Sequence, residues 1–105
     1  MNKKWEYMGR CYPLNIMCES CFLSVSRGIA ELSHALRCGT IGSASLCDVI
    51  RVFFDSLFGD GEGTAICGEG DNAEKHISAY ISFIGFLCAE IDAYSRMREE
   101  LAARV

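Results

Sequence analysis

At 105 residues the chain has the length of one domain, and half of its residues are apolar, enough for a small core. A formal net charge of −4 argues against a nucleic-acid-binding protein, which would carry a basic patch. No unbroken apolar run approaches the roughly 20 residues of a membrane span, and no apolar signal core follows MNKKWEYMGR, so no membrane association is expected and the cytoplasm is the expected location.

The first predicted element is a β-hairpin within residues 1–14. Trp5 and Tyr7 alternate with polar neighbours, Gly9 supplies the turn, and Cys11 to Leu14 return, with Pro13 confining that strand to an edge. A lone hairpin is marginal in water, so this one must pack on the helices or on a partner. Asn15 is a suitable helix N-cap. After it Cys18, Cys21, Phe22, Val25, Ile29, Leu32 and Leu36 recur at spacings of three and four, predicting a helix over residues 15–37. Gly28 interrupts it and implies close approach by another helix. Gly39 is the expected stop, 40–43 a linker, and Ser43 or Ser45 the next cap.

Residues 44–58 form the second predicted helix, with Leu46, Val49, Ile50, Phe53 and Leu57 on one face and Phe54 and Phe58 widening it. Gly59 is placed to end it. The corner 59–71 is rich in glycine and acid, with a short turn of helix over Thr64 to Cys67 capped by Thr64. Its length suits a calcium loop, but Ala65 stands where glycine is required and Asp71 where a bidentate Glu is preferred. A phosphate cradle would need a GK[ST] sequence, which does not follow.

The third helix is predicted over 72–103, capped by Asp71 and Asn72. Ile77, Tyr80, Ile81, Ile84, Leu87, Cys88, Ile91, Tyr94 and Leu101 form its stripe. It outruns the second helix, so its end should project. The predicted fold is mainly α: a three-helix antiparallel bundle with a short N-terminal hairpin. Its predicted core is Phe22, Val25, Ile29, Leu32, Val49, Ile50, Phe53, Leu57, Ile77, Ile81, Ile84 and Leu87.

The seven cysteines are an odd number without a secretion signal, and Cys18-Glu19-Ser20-Cys21 is the single CxxC, with no His at ligand spacing. They are read as apolar core thiols, with no metal or other cofactor; a redox role for Cys18 and Cys21 is the competing reading. His34 and His76 are read as surface or cap residues. No Ser, Asp or Glu stands at a spacing that makes a catalytic triad credible, so no enzyme is expected.

The segment VIRVFFDSLFGDGEGTAICGEGDN resembles one found in small proteins of phage and prophage tail gene clusters, which are similar to tail assembly chaperones of long-tailed phages. Phe53, Phe54, Asp55, Leu57, Phe58, Gly59, Gly63, Thr64, Gly68 and Asn72 carry the resemblance, together with the opening 9–15. The sequence departs from that pattern in its cysteines and in the acidic insert at Asp60 and Glu62. The resemblance implies a non-enzymatic assembly factor of the host cytoplasm that coats a hydrophobic tape-measure protein. The alternative is a small acidic inhibitor of a host defence system or host enzyme, acting through the edge formed by Asp60, Glu62, Glu69 and Asp71. Phe54 and Phe58 exceed what one helical face requires, and Tyr94, Met97 and Leu101 run past the expected core. These five residues are the predicted partner-binding surface, which a partner helix or a second copy of the chain would cover.

Overall fold

The computed structural model describes residues 4–38 and 46–105. Strands β1 (Lys4–Tyr7) and β2 (Arg10–Pro13) precede helices α1 (Glu19–Cys38), α2 (Leu46–Phe58), α3 (Glu62–Cys67) and α4 (Ala73–Arg104). The protein is therefore mainly helical with an N-terminal antiparallel hairpin, as expected, but the described residues hold four helices and not three. The expected stop at Gly39, the linker and the Ser43 or Ser45 cap lie outside the described residues.

The strands pair Trp5 with Tyr12 and Tyr7 with Arg10 around a turn in which Met8 and Gly9 both have positive φ (51° and 80°), the twist that suits a tight hairpin. Period-two alternation puts Trp5 on the inner face and leaves Lys4 and Glu6 outside. Trp5 stacks on Phe54 (centroids 5.4 Å, 6° between planes), meets Phe83 edge-on at 5.3 Å, and donates its indole N–H to Ser82 Oγ at 3.3 Å. The hairpin is thereby clamped across α2 and α4.

Between the hairpin and α1, Asn15 accepts the Met17 N–H on its side chain, and its carbonyl accepts the Cys18 N–H. Asn15 thus caps a turn that precedes the helix, and α1 starts four residues later than the predicted 15. Helix α1 packs on α2, and Gly28 is where they touch: a Cβ there would stand 3.0 Å from the Phe53 ring. The close approach expected at this glycine is present.

Helix α3 replaces the expected turn at Thr64. It begins after Gly61, has no side-chain N-cap, and lies against α2. Asp55 of α2 accepts the Gly63 N–H at 2.7 Å, satisfying one of the free donors at the start of α3. Thr64 instead lies inside the helix, its carbonyl accepting the Gly68 N–H. Asn72 caps α4 as predicted, accepting the Lys75 N–H at 3.2 Å.

The core is Trp5, Tyr12, Leu14, Ile16, Val25, Leu32, Ile50, Phe53, Phe54, Ile66, Cys67, Ala79, Phe83 and Leu87. Three predicted core residues are exposed: Phe22, Ile77 and Ile81. The hairpin and α3 occupy places that a pure helical bundle would give to α1, so α4 turns a different face inward. That face carries His76, Ala79, Phe83, Leu87 and Glu90. His76 is completely buried, not a surface residue. Its Nδ1 bonds the Asn72 carbonyl at 2.7 Å and its Nε2 meets Arg51 Nη1 at 2.8 Å. Arg51 has only donors, so Nε2 accepts and the proton sits on Nδ1. The same guanidinium donates to the Gly70 carbonyl at 2.6 Å and pairs with Asp48, tying α2, the glycine-rich corner and α4 together.

Candidate functional site

Five residues were expected to form the partner surface, and the structure divides them. Phe54 is fully buried, between Trp5, Phe53 and Phe83. Phe58 is half-buried against Trp5, Tyr12 and Phe83. Both leave the candidate surface, because the hairpin covers the flank of α2 that helix periodicity alone left bare. Tyr94, Met97 and Leu101 are exposed, increasingly so along the helix (39%, 52% and 64%).

These three continue the inward face of α4. At 100° per residue, Phe83, Leu87, Glu90, Tyr94, Met97 and Leu101 lie within a single stripe of the helix surface. The body of the fold covers that stripe as far as Glu90 and no further. Residues 91–104 then extend about 21 Å at 1.5 Å per residue. The protein is accordingly elongated, 52 × 33 × 21 Å. A groove of about 570 Å³ opens where the projection leaves the body, between Tyr94 and Arg98 of α4 and Ile16, Met17, Phe22 and Leu23 at the start of α1. Sequence reasoning missed the α1 side, since Phe22 sits on the stripe that periodicity assigns to the core. Its lining is of mixed polarity, with Glu19 and Arg98 beside the apolar Ile16, Met17, Phe22, Leu23 and Tyr94.

Helix α4 also bears on membrane propensity, where no spanning helix was expected. By length and composition it is apolar enough to cross a membrane: its best 18-residue window has a mean hydropathy of 1.3, and 22% of that window is buried. Counting unbroken apolar runs overlooked it, because isolated Ser and Glu residues interrupt the run without lowering the average far.

On the predicted acidic edge, Asp60, Glu69 and Asp71 are exposed and Glu62 is half-buried. Arg51 reaches Gly70 in this corner, and Tyr12, with a smaller contribution from Glu62, raises the Arg10 guanidinium above its ordinary value. Of the four acids only Glu62 is thus shown to interact with a cation, Arg10.

The cysteines divide as well. Cys47 and Cys67 are buried, as expected of core thiols, and burial pushes Cys67 up to about 11. Cys11, Cys18 and Cys88 are exposed and Cys21 is half-buried, so the core reading does not hold for them. The reason for Cys18 is the late start of α1, which places it in the preceding turn. There its Sγ lies 3.2 Å from the Ser20 hydroxyl. That hydrogen bond first, and then those from the Cys21 backbone and thiol, lower Cys18 from 9.0 to about 7. Cys18 in turn raises Cys21. Among the described residues no cluster of three His, Cys, Asp or Glu could hold a metal ion.

A reactivity difference should follow. The thiolate is the nucleophile, so Cys18 gains reactivity as pH rises through about 7 and loses it below. At pH 7 iodoacetamide should label Cys18 several-fold more slowly in Ser20→Ala than in the unaltered chain, because the hydroxyl that holds its thiolate is gone. Ser20→Ala should shift the Cys18 profile to higher pH. Identical Cys18 labelling profiles across pH 6–9 with and without the Ser20 hydroxyl, read by mass spectrometry, would contradict the assigned hydrogen bond.

A protein-family profile described as a family of unknown function, DUF6673, matches residues 39–104, well over half of the chain. The chain belongs to this family. Within the described residues the DUF6673 match takes in α2, α3 and α4, including the projecting stripe; the hairpin and the α1 side of the groove fall outside it. No curated protein matches the chain, and no solved structure does.

Proposed function

We propose that the protein is a non-enzymatic assembly factor of the tail-assembly-chaperone kind, holding a hydrophobic helical partner such as a tape-measure protein. One observation carries the reading: the inward apolar stripe of α4 runs past the body at Tyr94, Met97 and Leu101, beside an open groove of mixed polarity. An amphipathic partner helix laid there would bury its own stripe against these side chains. Many weak copies along one long client would add up through avidity. The resemblance carried by Phe53, Phe58, Gly63 and Asn72 supports the same class of client.

Co-expression tests it. A tape-measure-like helical polypeptide that is insoluble alone should become soluble with the protein and co-purify with it in defined stoichiometry. Leu101→Glu, an exposed change, should remove the effect. A client equally insoluble with and without the protein would sink the proposal.

The second reading, an acidic inhibitor of a host defence system or host enzyme, draws on the exposure of Asp60, Glu69 and Asp71. Arg51 on the Gly70 carbonyl and Arg10 within the field of Glu62 put positive charge in the same corner and weaken it. It requires binding to a basic protein groove that falls steeply with salt and with charge reversal at Asp60 and Glu69.

A further inference from the structure

We infer that Cys18 and Cys21 form a reversible dithiol–disulfide couple that reacts with low-molecular-weight disulfides, Cys18 attacking and Cys21 resolving. The couple is independent of the chaperone reading and stands without it. The two cysteines follow strand β2 and straddle the start of α1. Cys18 precedes Glu19, the first helical residue, and its carbonyl accepts the Phe22 N–H at 3.0 Å. Cys18 is therefore the N-cap of a 20-residue helix, and Cys21 stands in its first turn. An N-cap side chain faces the backbone N–H groups that the helix leaves unused. Positions three apart at this place put their Cβ atoms roughly 5–6 Å from each other, and a disulfide spans Cα atoms about 4.4–6.8 Å apart. The bond thus closes with little movement of the backbone.

Both sulfurs are free to react. Cys18 is exposed, so a disulfide in solution reaches it directly. Ser20 Oγ lies 3.2 Å from its sulfur and donates to the thiolate. Cys21 is half-buried and borders a cleft of about 170 Å³ between Ser24 of α1 and Ser56 of α2. Its thiol has room there to turn toward Cys18. Neither cysteine belongs to the core, so closing the disulfide displaces no core side chain.

The two thiols are set to act in order. The Ser20 hydroxyl, and then Cys21, favour the Cys18 thiolate near neutral pH, while Cys18 keeps Cys21 protonated. The Cys18 thiolate attacks one sulfur of a disulfide RSSR. That S–S bond breaks, a Cys18–SR mixed disulfide forms, and RS⁻ leaves and takes up a proton. Cys18 then carries no charge, so its hold on the Cys21 proton is gone. Cys21 gives that proton to solvent, its thiolate attacks Cys18 Sγ, and the second RS⁻ leaves and is protonated. Two protein thiols are oxidised to one disulfide, and RSSR is reduced to two RSH.

The test uses the full chain at pH 7 with glutathione disulfide as the probe. The unaltered chain should lose two hydrogens at this pair, retain no glutathione there, and show a Cys18–Cys21 link by fragmentation mass spectrometry. Dithiothreitol should reverse the change, with helical circular dichroism kept throughout. Cys21→Ser, which lacks the resolving thiol, should hold one glutathione on Cys18. Cys18→Ser should take up glutathione at Cys21 several-fold more slowly than Cys21→Ser does at Cys18. Both positions lie outside the core and serine is close in size, so both variants should fold as the unaltered chain does. Stable glutathione on Cys18 of the unaltered chain overturns the inference. So do an unreactive pair, a Cys18 bond to Cys11 in place of Cys21, loss of helix on oxidation, or equal rates for the two single variants. A chain that cycles in this way yet solubilises no client would refute the chaperone reading alone.

Discussion

Replacing Phe54 with alanine should lower the stability of the domain by about 4 kcal/mol, the usual range for a fully buried aromatic ring. The ring has no solvent exposure and is held on several sides at once: stacked on Trp5, and met edge-on by Phe53 and Phe83. Truncation leaves a cavity bounded by a two-stranded hairpin on one side. Such a hairpin has little stability of its own, so it should loosen before the helices do. Trp5 is the sole tryptophan and sits on that hairpin, so its fluorescence reports the loosening directly. In urea, the fluorescence transition of Phe54→Ala should precede the helical one seen by circular dichroism, and both should precede that of the unaltered chain. A loss below about 1 kcal/mol would show that Phe54 is not central to the core. It would also reopen the possibility that its ring serves a partner.

Adding a single methyl group at Gly63 should be nearly as damaging. A Cβ there would overlap the backbone carbonyl of Arg51 and stand 2.8 Å from Arg51 Cα. Both obstacles are main chain of α2, so neither can swing aside as a side-chain end would. The Gly63 N–H is meanwhile fixed on Asp55 at 2.7 Å, so α3 cannot slide away without giving up that bond. Gly63→Ala should cost about 3 kcal/mol, and a midpoint fall of more than 10 °C is expected for a domain of this size. Asp55→Ala, which removes only the bond, should cost about 1 kcal/mol. A thermal midpoint for Gly63→Ala within a few degrees of the unaltered chain would mean that α3 does not press against α2 in solution.

Helix periodicity located α1, α2 and α4 because each has apolar residues every three or four positions. Trp5, Tyr7 and Gly9 located the hairpin because alternation and a turn glycine suffice for a two-stranded unit. The four-helix count was harder to read, since a six-residue helix has too few turns for a periodic signal. What located it physically was Gly63, whose lack of a side chain lets α3 touch the α2 backbone. At the candidate surface, Tyr94, Met97 and Leu101 could be found by asking how far the α4 stripe outlasts its neighbours. Phe54 and Phe58 were misplaced because excess apolar width on a helix does not say whether a hairpin or a partner covers it. Phe22 was misplaced for the converse reason: a residue on an apolar stripe is buried only if an element reaches it.

The sequence by itself determined the local elements, the turn at Gly9, the Asn72 cap and the overlong apolar stripe of α4. All of these depend on residues within one or two turns of each other. Only the tertiary structure decided which stripe faces which. It buried His76 and Glu90, placed Arg51 on Gly70 and His76, exposed Cys18 and Phe22, and put Trp5 over Phe54. Those outcomes turn on how the hairpin and α3 share the surface of α2 and α4, a competition among segments far apart in the chain that no local pattern records.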